Sequence, residues 1–177
     1  MRVISGLCGG RRLETPADNS VRPTTDKVKE ALFSSIQFEL EGAAVLDLFS
    51  GSGQLGIEAL SRGAKSAVFV DKSRASLELT KRNLAACSLN GLVISSDSLI
   101  YLEKCAERFD IAFLDPPYKT GLLQKALPLV SEVMNEGGVI CAECPFGEEV
   151  PEELSAGFRL SKSKKYGSMS LNYYRKG

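Results

Sequence analysis

Apolar residues recur in two rhythms along this chain, and the change between them locates its elements. Val28, Leu32, Ile36 and Leu40 return every four residues, which lines one face of a helix. Thr24 or Thr25 is placed to cap it, because a threonine hydroxyl can accept a free amide proton of a first turn. Upstream, Gly6, Gly9 and Gly10 separate short β-prone pieces and predict a small hairpin over residues 1–15. From Ala43 onwards short apolar runs alternate with longer amphipathic stretches. The runs predict strands over 44–49, 66–70, 92–95, 110–114 and 138–142. The stretches predict helices over 55–62, 74–86, 99–107 and 122–134, the first ending at Gly63.

Such alternation means a parallel sheet covered by helices on both faces, with ligands at the carboxyl ends of its strands. The last strand-like pieces, 158–164 and 169–174, are joined through Tyr166-Gly167. So short a link allows an antiparallel hairpin and forbids a crossover. The expected fold is therefore α/β and Rossmann-like. Its mostly parallel seven-stranded sheet ends in an antiparallel hairpin and is preceded by a small N-terminal β-hairpin and helix. A chain of 177 residues suits one domain, with 1–42 as an extension of a core over 43–177.

Composition narrows the chemistry. The chain has no histidine, which removes Ser-His-Asp and Cys-His catalysis and every histidine-based zinc or acid–base scheme. Five scattered cysteines suit a reducing compartment, and Cys141-Ala-Glu-Cys144, lacking a second such pair, reads as small residues in a buried strand rather than a metal site. No apolar run approaches the ~20 residues that span a bilayer, and no secretory leader pattern is visible, so a cytoplasmic location is expected. Net charge is zero, but it is unevenly distributed. Six Lys or Arg and no acid follow from Arg159 to the C-terminus, and Arg2, Arg11 and Arg12 stand without an acid in the first thirteen residues. Acids gather elsewhere, in Glu143, Glu148, Glu149, Glu152 and Glu153. Segregation of this kind predicts one positive face, with Arg11, Arg12, Arg22, Lys162, Lys164 and Lys165 as candidate phosphate contacts.

Candidate chemistry lies at strand ends. Asp47-Leu-Phe-Ser-Gly51-Ser-Gly53-Gln-Leu-Gly56 joins the first strand to its helix, and its glycines let a cofactor approach backbone amides near a helix N-terminus. With Asp71 ending the second strand, the loop also fits the nicotinamide-dinucleotide fingerprint, so alone it indicates only an adenosine-containing cofactor. Asp71 is placed to accept ribose hydroxyls or to cap the next helix. Asp97 can accept from an adenine amine, cap the helix starting at Ser98, or do both.

Asp115-Pro116-Pro117-Tyr118 ends the fourth strand. Consecutive prolines stop the ladder and stiffen the backbone. The Asp115 carboxylate and the Pro116 carbonyl can then grip the two hydrogens of an amino group, with Tyr118 as a stacking face. An exocyclic amine of a base is a poor nucleophile because its lone pair is delocalised into the ring. Two acceptors favour its pyramidal form and stabilise the positive charge that develops on attack.

Together, Asp47 to Gly53 and Asp115 to Tyr118 resemble the amino-methyltransferases of the class I S-adenosylmethionine fold. Arg2-Val-Ile-Ser-Gly6, Gly10-Arg-Arg-Leu13 and Arg22-Pro-Thr-Thr-Asp26-Lys-Val28 make the chain similar to the RsmD-like guanine-N2 methyltransferases of bacterial small-subunit ribosomal RNA. That resemblance implies S-adenosylmethionine held by Asp47, Phe49, Gly51, Ser52 and Gly53 at its methionine half. It also implies Asp71 on the ribose, Lys72 along the adenine and Asp97 with Ser98 at the adenine amine. Asp115, Pro116, Pro117 and Tyr118 would hold the target guanine N2. The implied partner is ribosomal RNA within the small subunit, bound by a monomer without metal. A DNA adenine-N6 methyltransferase, a nicotinamide oxidoreductase and a non-catalytic RNA-binding module remain as alternatives.

Overall fold

A computed structural model describes residues 1–17 and 25–177. Its centre is one seven-stranded sheet. Strands β1 (Ala44–Leu48), β2 (Ser66–Asp71), β3 (Leu92–Ser95), β4 (Phe109–Leu114) and β5 (Met134–Pro145) run parallel to one another. The chain then turns through β6 (Phe158–Tyr166) and β7 (Met169–Lys176), and β7 inserts antiparallel between β5 and β6. The resulting order is β3-β2-β1-β4-β5-β7-β6, so the predicted mostly parallel sheet with a terminal hairpin is what forms.

Because side chains alternate across a strand, each face builds its own core. Val45, Phe69, Ile111, Phe113, Cys141 and Tyr173 pack beneath α1 (Asp26–Ser35), α2 (Gln54–Ser61) and α3 (Arg74–Ala86). Leu46, Val70, Leu114, Ile140 and Tyr174 face the other way, towards α4 (Ser98–Lys104) and α5 (Leu122–Glu132). Cys141 and Cys144 are buried in β5 and belong to opposite faces.

Several boundaries differ from the periodicity. Thr25 caps α1, its hydroxyl accepting from the Val28 amide at 3.4 Å, while Thr24 lies outside the described residues. α1 stops at Ser35, yet Ile36 and Leu40 stay buried because the turns that follow keep packing against the sheet. α4 stops at Lys104 rather than Glu107, since Cys105 is already extended. β5 begins four residues early at Met134, and the β4–β5 register shifts between Phe109 and Ile111.

The N-terminal hairpin forms around an Arg2–Arg12 antiparallel bridge, with the Val3 amide donating to the Arg11 carbonyl at 2.9 Å. Glu58 of α2 docks it. This carboxylate is fully buried and accepts from the amides of Ile4 at 2.8 Å and Ser5 at 3.1 Å, and from Arg62 Nε at 2.8 Å. Lys29 of α1, equally buried, sits 3.4 Å away and also donates to the Arg2 carbonyl. Burial pulls the Lys29 pKa down, and the Glu58 charge opposes that shift. Removing one member of a buried ion pair strands the other in low dielectric, at a cost of about 3–5 kcal/mol. Glu58→Ala should therefore lower stability by about that amount and open the Arg11–Arg12 bond to trypsin. Urea denaturation and timed proteolysis check this, and an unchanged midpoint with a protected hairpin would refute it.

Candidate active site

The carboxyl ends of β1, β2, β4 and β5 bring four acids together. Asp47 is paired with Phe69 and Phe113, and Glu143 with Leu171, all of which belong to the α1–α2–α3 face. Asp71 and Asp115, two residues beyond Phe69 and Phe113, project on that same face. A cleft of about 570 Å³ opens over this edge, in the size range of small-molecule sites. Its wall includes Phe49, Gly51, Asp71, Lys72, Asp97 and Ser98 at one end and Asp115 to Tyr118 at the other. Lys72 is the one basic side chain among the described residues on that wall.

The glycine loop is shaped from beneath. Asp47 is buried, and its Oδ2 accepts the Gly56 amide at 2.8 Å, tying β1 to the first turn of α2. Gly53 adopts a left-handed conformation at φ +78°, where a Cβ would also stand 2.8 Å from Thr80 Cγ2. At Gly56 a Cβ would meet the Phe69 ring at 2.3 Å, so only glycine lets α2 approach the sheet this closely. Phe49 holds φ +63° without being glycine, a strained backbone at the cleft wall. Ser50 Oγ and Gln54 Oε1 are buried in this loop without a hydrogen-bond partner among the described residues.

Asp71 and Asp97 each perform a local task and retain acceptor capacity. Asp71 accepts from the Gly51 amide at 2.9 Å and the Ser73 amide at 2.8 Å. Asp97 caps α4 through Oδ1, at 2.9 Å from the Leu99 amide and 3.2 Å from that of Ile100, while Oδ2 makes none of these bonds. The capping role read from sequence is thus present at Asp97. At Asp71 the helix cap is Ser73, which the Asp71 carboxylate supports.

The Asp115 carboxylate is pushed well above the usual range, first by desolvation and then by the charges of Glu143 and Asp47. Tyr118 donates from its hydroxyl to Glu143 Oε1 at 2.9 Å. Burial and the Glu143 charge together raise the Tyr118 pKa, so the phenol stays protonated. Glu143 belongs in sequence to the group of acids that gather between residues 143 and 153. Unlike the others it is buried, beside Leu171 of β7. Its sequence signal was the odd position of an acid inside the apolar run 139–144.

The expected site residues separate into groups. Phe49, Gly51, Asp71, Lys72, Asp97, Ser98 and Asp115 to Tyr118 share the cleft wall. Asp47, Ser52 and Gly53 are buried and lie off that wall, where they shape the loop. Arg11 and Arg12 are exposed on the N-terminal hairpin, and Arg22 lies outside the described residues. The lysines of β6 do not share one face. Lys162 and Lys164 lie over Tyr173 and Tyr166 on the α1 side, whereas Lys165 turns to the Phe146 ring. Alternation along the strand separates Lys164 from Lys165.

Asp47 generates a pH prediction. Burial, opposed by the Gly56 hydrogen bond, pushes its pKa up to about 8 from an ordinary 3.8. With the folded pKa above the unfolded one, its contribution is full below about pH 4 and is lost as pH rises through about 8. Asp47→Asn keeps an oxygen for the Gly56 amide and cannot ionise. The stability of the wild type relative to this variant should fall between about pH 4 and 8 and then level off. Denaturant titrations across that range test it, and a difference independent of pH would contradict it.

Comparison with known proteins matches this arrangement. The family model described as "Conserved hypothetical protein 95" matches residues 1–175. The protein YlbH of Bacillus subtilis is 41% identical over 99% of both chains. Ribosomal RNA small subunit methyltransferase D of Escherichia coli is 32% identical over 99% of this chain and 90% of its own length. The solved structure of yhhF from Escherichia coli superposes with a TM-score of 0.89 at 32% identity, covering 99% of this chain and 97% of that one. With matches of this length, the chain belongs to the "Conserved hypothetical protein 95" family together with ribosomal RNA small subunit methyltransferase D, and is an S-adenosylmethionine-dependent methyltransferase of the class I fold.

Proposed function

We propose that this chain methylates the exocyclic N2 of a guanine in small-subunit ribosomal RNA. The observation that carries this reading is one cleft with adenosine-type acceptors at one end and the Asp115–Tyr118 grip at the other. S-adenosylmethionine supplies a sulfonium methyl group that a nitrogen lone pair can attack directly. The acidic edge suits that ligand electrically, because Asp47, Asp71, Asp115 and Glu143 favour a cationic centre. A nicotinamide dinucleotide would instead bring a pyrophosphate against the same carboxylates. Asp71 retains lone pairs for ribose hydroxyls, and Asp97 Oδ2 can accept from an adenine amine. Lys72 borders the adenine position, and the loop around Gly51 carries the remaining half, with Asp47, Ser52 and Gly53 behind it.

At the other end Asp115 and the Pro116 carbonyl accept the two amine hydrogens. Asp115 is held towards its neutral form by its surroundings, and a positive charge in the cleft draws it back to the carboxylate. As nitrogen becomes cationic, the oriented carboxylate stabilises the transition state and then takes the released proton. Tyr118, fixed through Glu143, offers its ring to a base taken out of its stack. Arg11, Arg12, Lys162 and Lys164 are read as phosphate contacts of a single-domain monomer acting in the cytoplasm on ribosomal RNA within the small subunit. The name of the Escherichia coli relative supports the choice of RNA. Among the described residues no helix is long and apolar enough to cross a membrane.

Asp115→Ala should slow single-turnover transfer by about 10²–10³, the effect of losing one preorganised electrostatic group. Cofactor affinity by calorimetry should stay near wild type. Rapid-quench assays on small subunits lacking native methylation, with mapping of tritium from labelled cofactor, give both the rate and the position. Wild-type rates in this variant, or label on another base, would overturn the reading. Replacing Arg11 and Arg12 together by Ala should raise KM for RNA and flatten the log–log salt dependence by about 0.7–0.9 per lost contact. An unaltered slope would remove the hairpin from the interface.

A further inference from the structure

We infer that Phe146 and Lys165 form a stacking platform at the end of β5 for an unpaired nucleotide flanking the target base. The inference rests on the RNA reading above and adds a binding surface to it. Phe146 follows β5 and is 55% exposed, although fully burying such a ring would be worth about 1.5–3 kcal/mol. Its backbone is held in place, with the Phe146 amide donating to the Ser168 carbonyl at 2.9 Å. The ring therefore sits on the seam between the end of β5 and the tip of the β6–β7 hairpin. Lys165 Nζ lies 3.8 Å from the ring centroid. Phe38 is also exposed, but no cation stacks on it among the described residues.

Position links this ring to the chemistry. Glu143, three residues earlier on the same strand, holds the hydroxyl of Tyr118, itself 40% exposed at the cleft wall. Three residues of extended chain span about 10 Å, and the pleat turns Phe146 to the other side of β5 from Glu143, so an RNA strand leaving Tyr118 crosses the end of β5 to reach the ring. Taking a base out of its stack leaves its neighbour without a partner, and an aromatic face replaces that contact for any base. Lys165 Nζ, over one face of the ring, supplies positive charge for the phosphate of a nucleotide stacked on the other face. Glu148 lies in the same loop, where Gln124 Nε2 holds its carboxylate at 2.7 Å. Charge and aromatic surface together fit single-stranded RNA.

The chain contains no tryptophan, so F146W introduces a single indole that reports on this site alone. Phe146→Ala should raise KM for a protein-free 16S ribosomal RNA fragment by about 5–150-fold, the range of one lost base stack. Its cofactor affinity and its single-turnover rate at saturating RNA should remain those of the wild type. Phe146→Leu, which keeps apolar bulk without a π face, should share most of the defect. F146W should restore KM, and a short single-stranded oligoribonucleotide should quench its fluorescence. An unchanged KM in Phe146→Ala would overturn the proposal, and so would an indole that responds to ribosomal proteins but not to protein-free RNA. If the wild type failed to methylate the fragment while the oligoribonucleotide still quenched the indole, the substrate assignment would fall and the platform would stand.

Discussion

Like charge at the carboxyl edge of the sheet is the constraint around which this structure is organised. Strand alternation sends Asp71, Asp47, Asp115 and Glu143 to one face at the ends of four adjacent strands. The protein gives each of these acids different partners. Asp71 is stabilised by two backbone amides, Asp47 by one amide and by retaining a proton, and Glu143 accepts from a phenol. Asp115 has the least support and the most strongly favoured neutral form. The acid proposed to meet the reacting amine is thus the one whose charge depends most on what enters the cleft.

The opposite side of α2 carries a second burial of charge with a mechanical purpose. Glu58 gathers two amides of the N-terminal segment, Arg62 and Lys29 around one carboxylate. A hairpin with only one bridge between its strands would have little stability alone. Anchored to Glu58, it presents Arg11 and Arg12 on a fixed support. The pair between Lys29 and Glu58 also couples α1 to α2, so the basic extension and the glycine loop share a helix.

Placing β7 between β5 and β6 has consequences beyond the sheet itself. It sets Leu171 beside Glu143, the buried acid that partners Tyr118. It also carries the hairpin tip to the loop after β5, so that Lys165 meets Phe146. A net charge of zero therefore conceals acids gathered at the cleft and basic side chains placed away from it, on the N-terminal hairpin and on β6. Such a division suits a ligand pair in which the small partner is positive and the large one negative.

Much of the architecture was legible because it is encoded over short distances. Alternating apolar runs and amphipathic stretches follow from backbone periodicity, and the glycine loop and the double proline carry their own backbone restrictions. For that reason Gly51 and Asp115 could be assigned to strand ends before any packing was known. Residues whose role depends on distant pairing were not legible. Glu143 stands out in the chain only as an acid inside an apolar run, and its burial and its bond to Tyr118 follow from the packing around β5 and β7. The pleat sends Lys164 and Lys165 to opposite faces, but that Lys165 meets Phe146 follows only from the docking of the β6–β7 hairpin beside β5. Lys29 and Glu58 show no local sign of each other, since an ion pair between two helices exists only after both have packed on the sheet. Local patterning specifies where the strands end. Which charges those ends share, and which are hidden, is set by partners far away in the chain, through the desolvation that packing imposes.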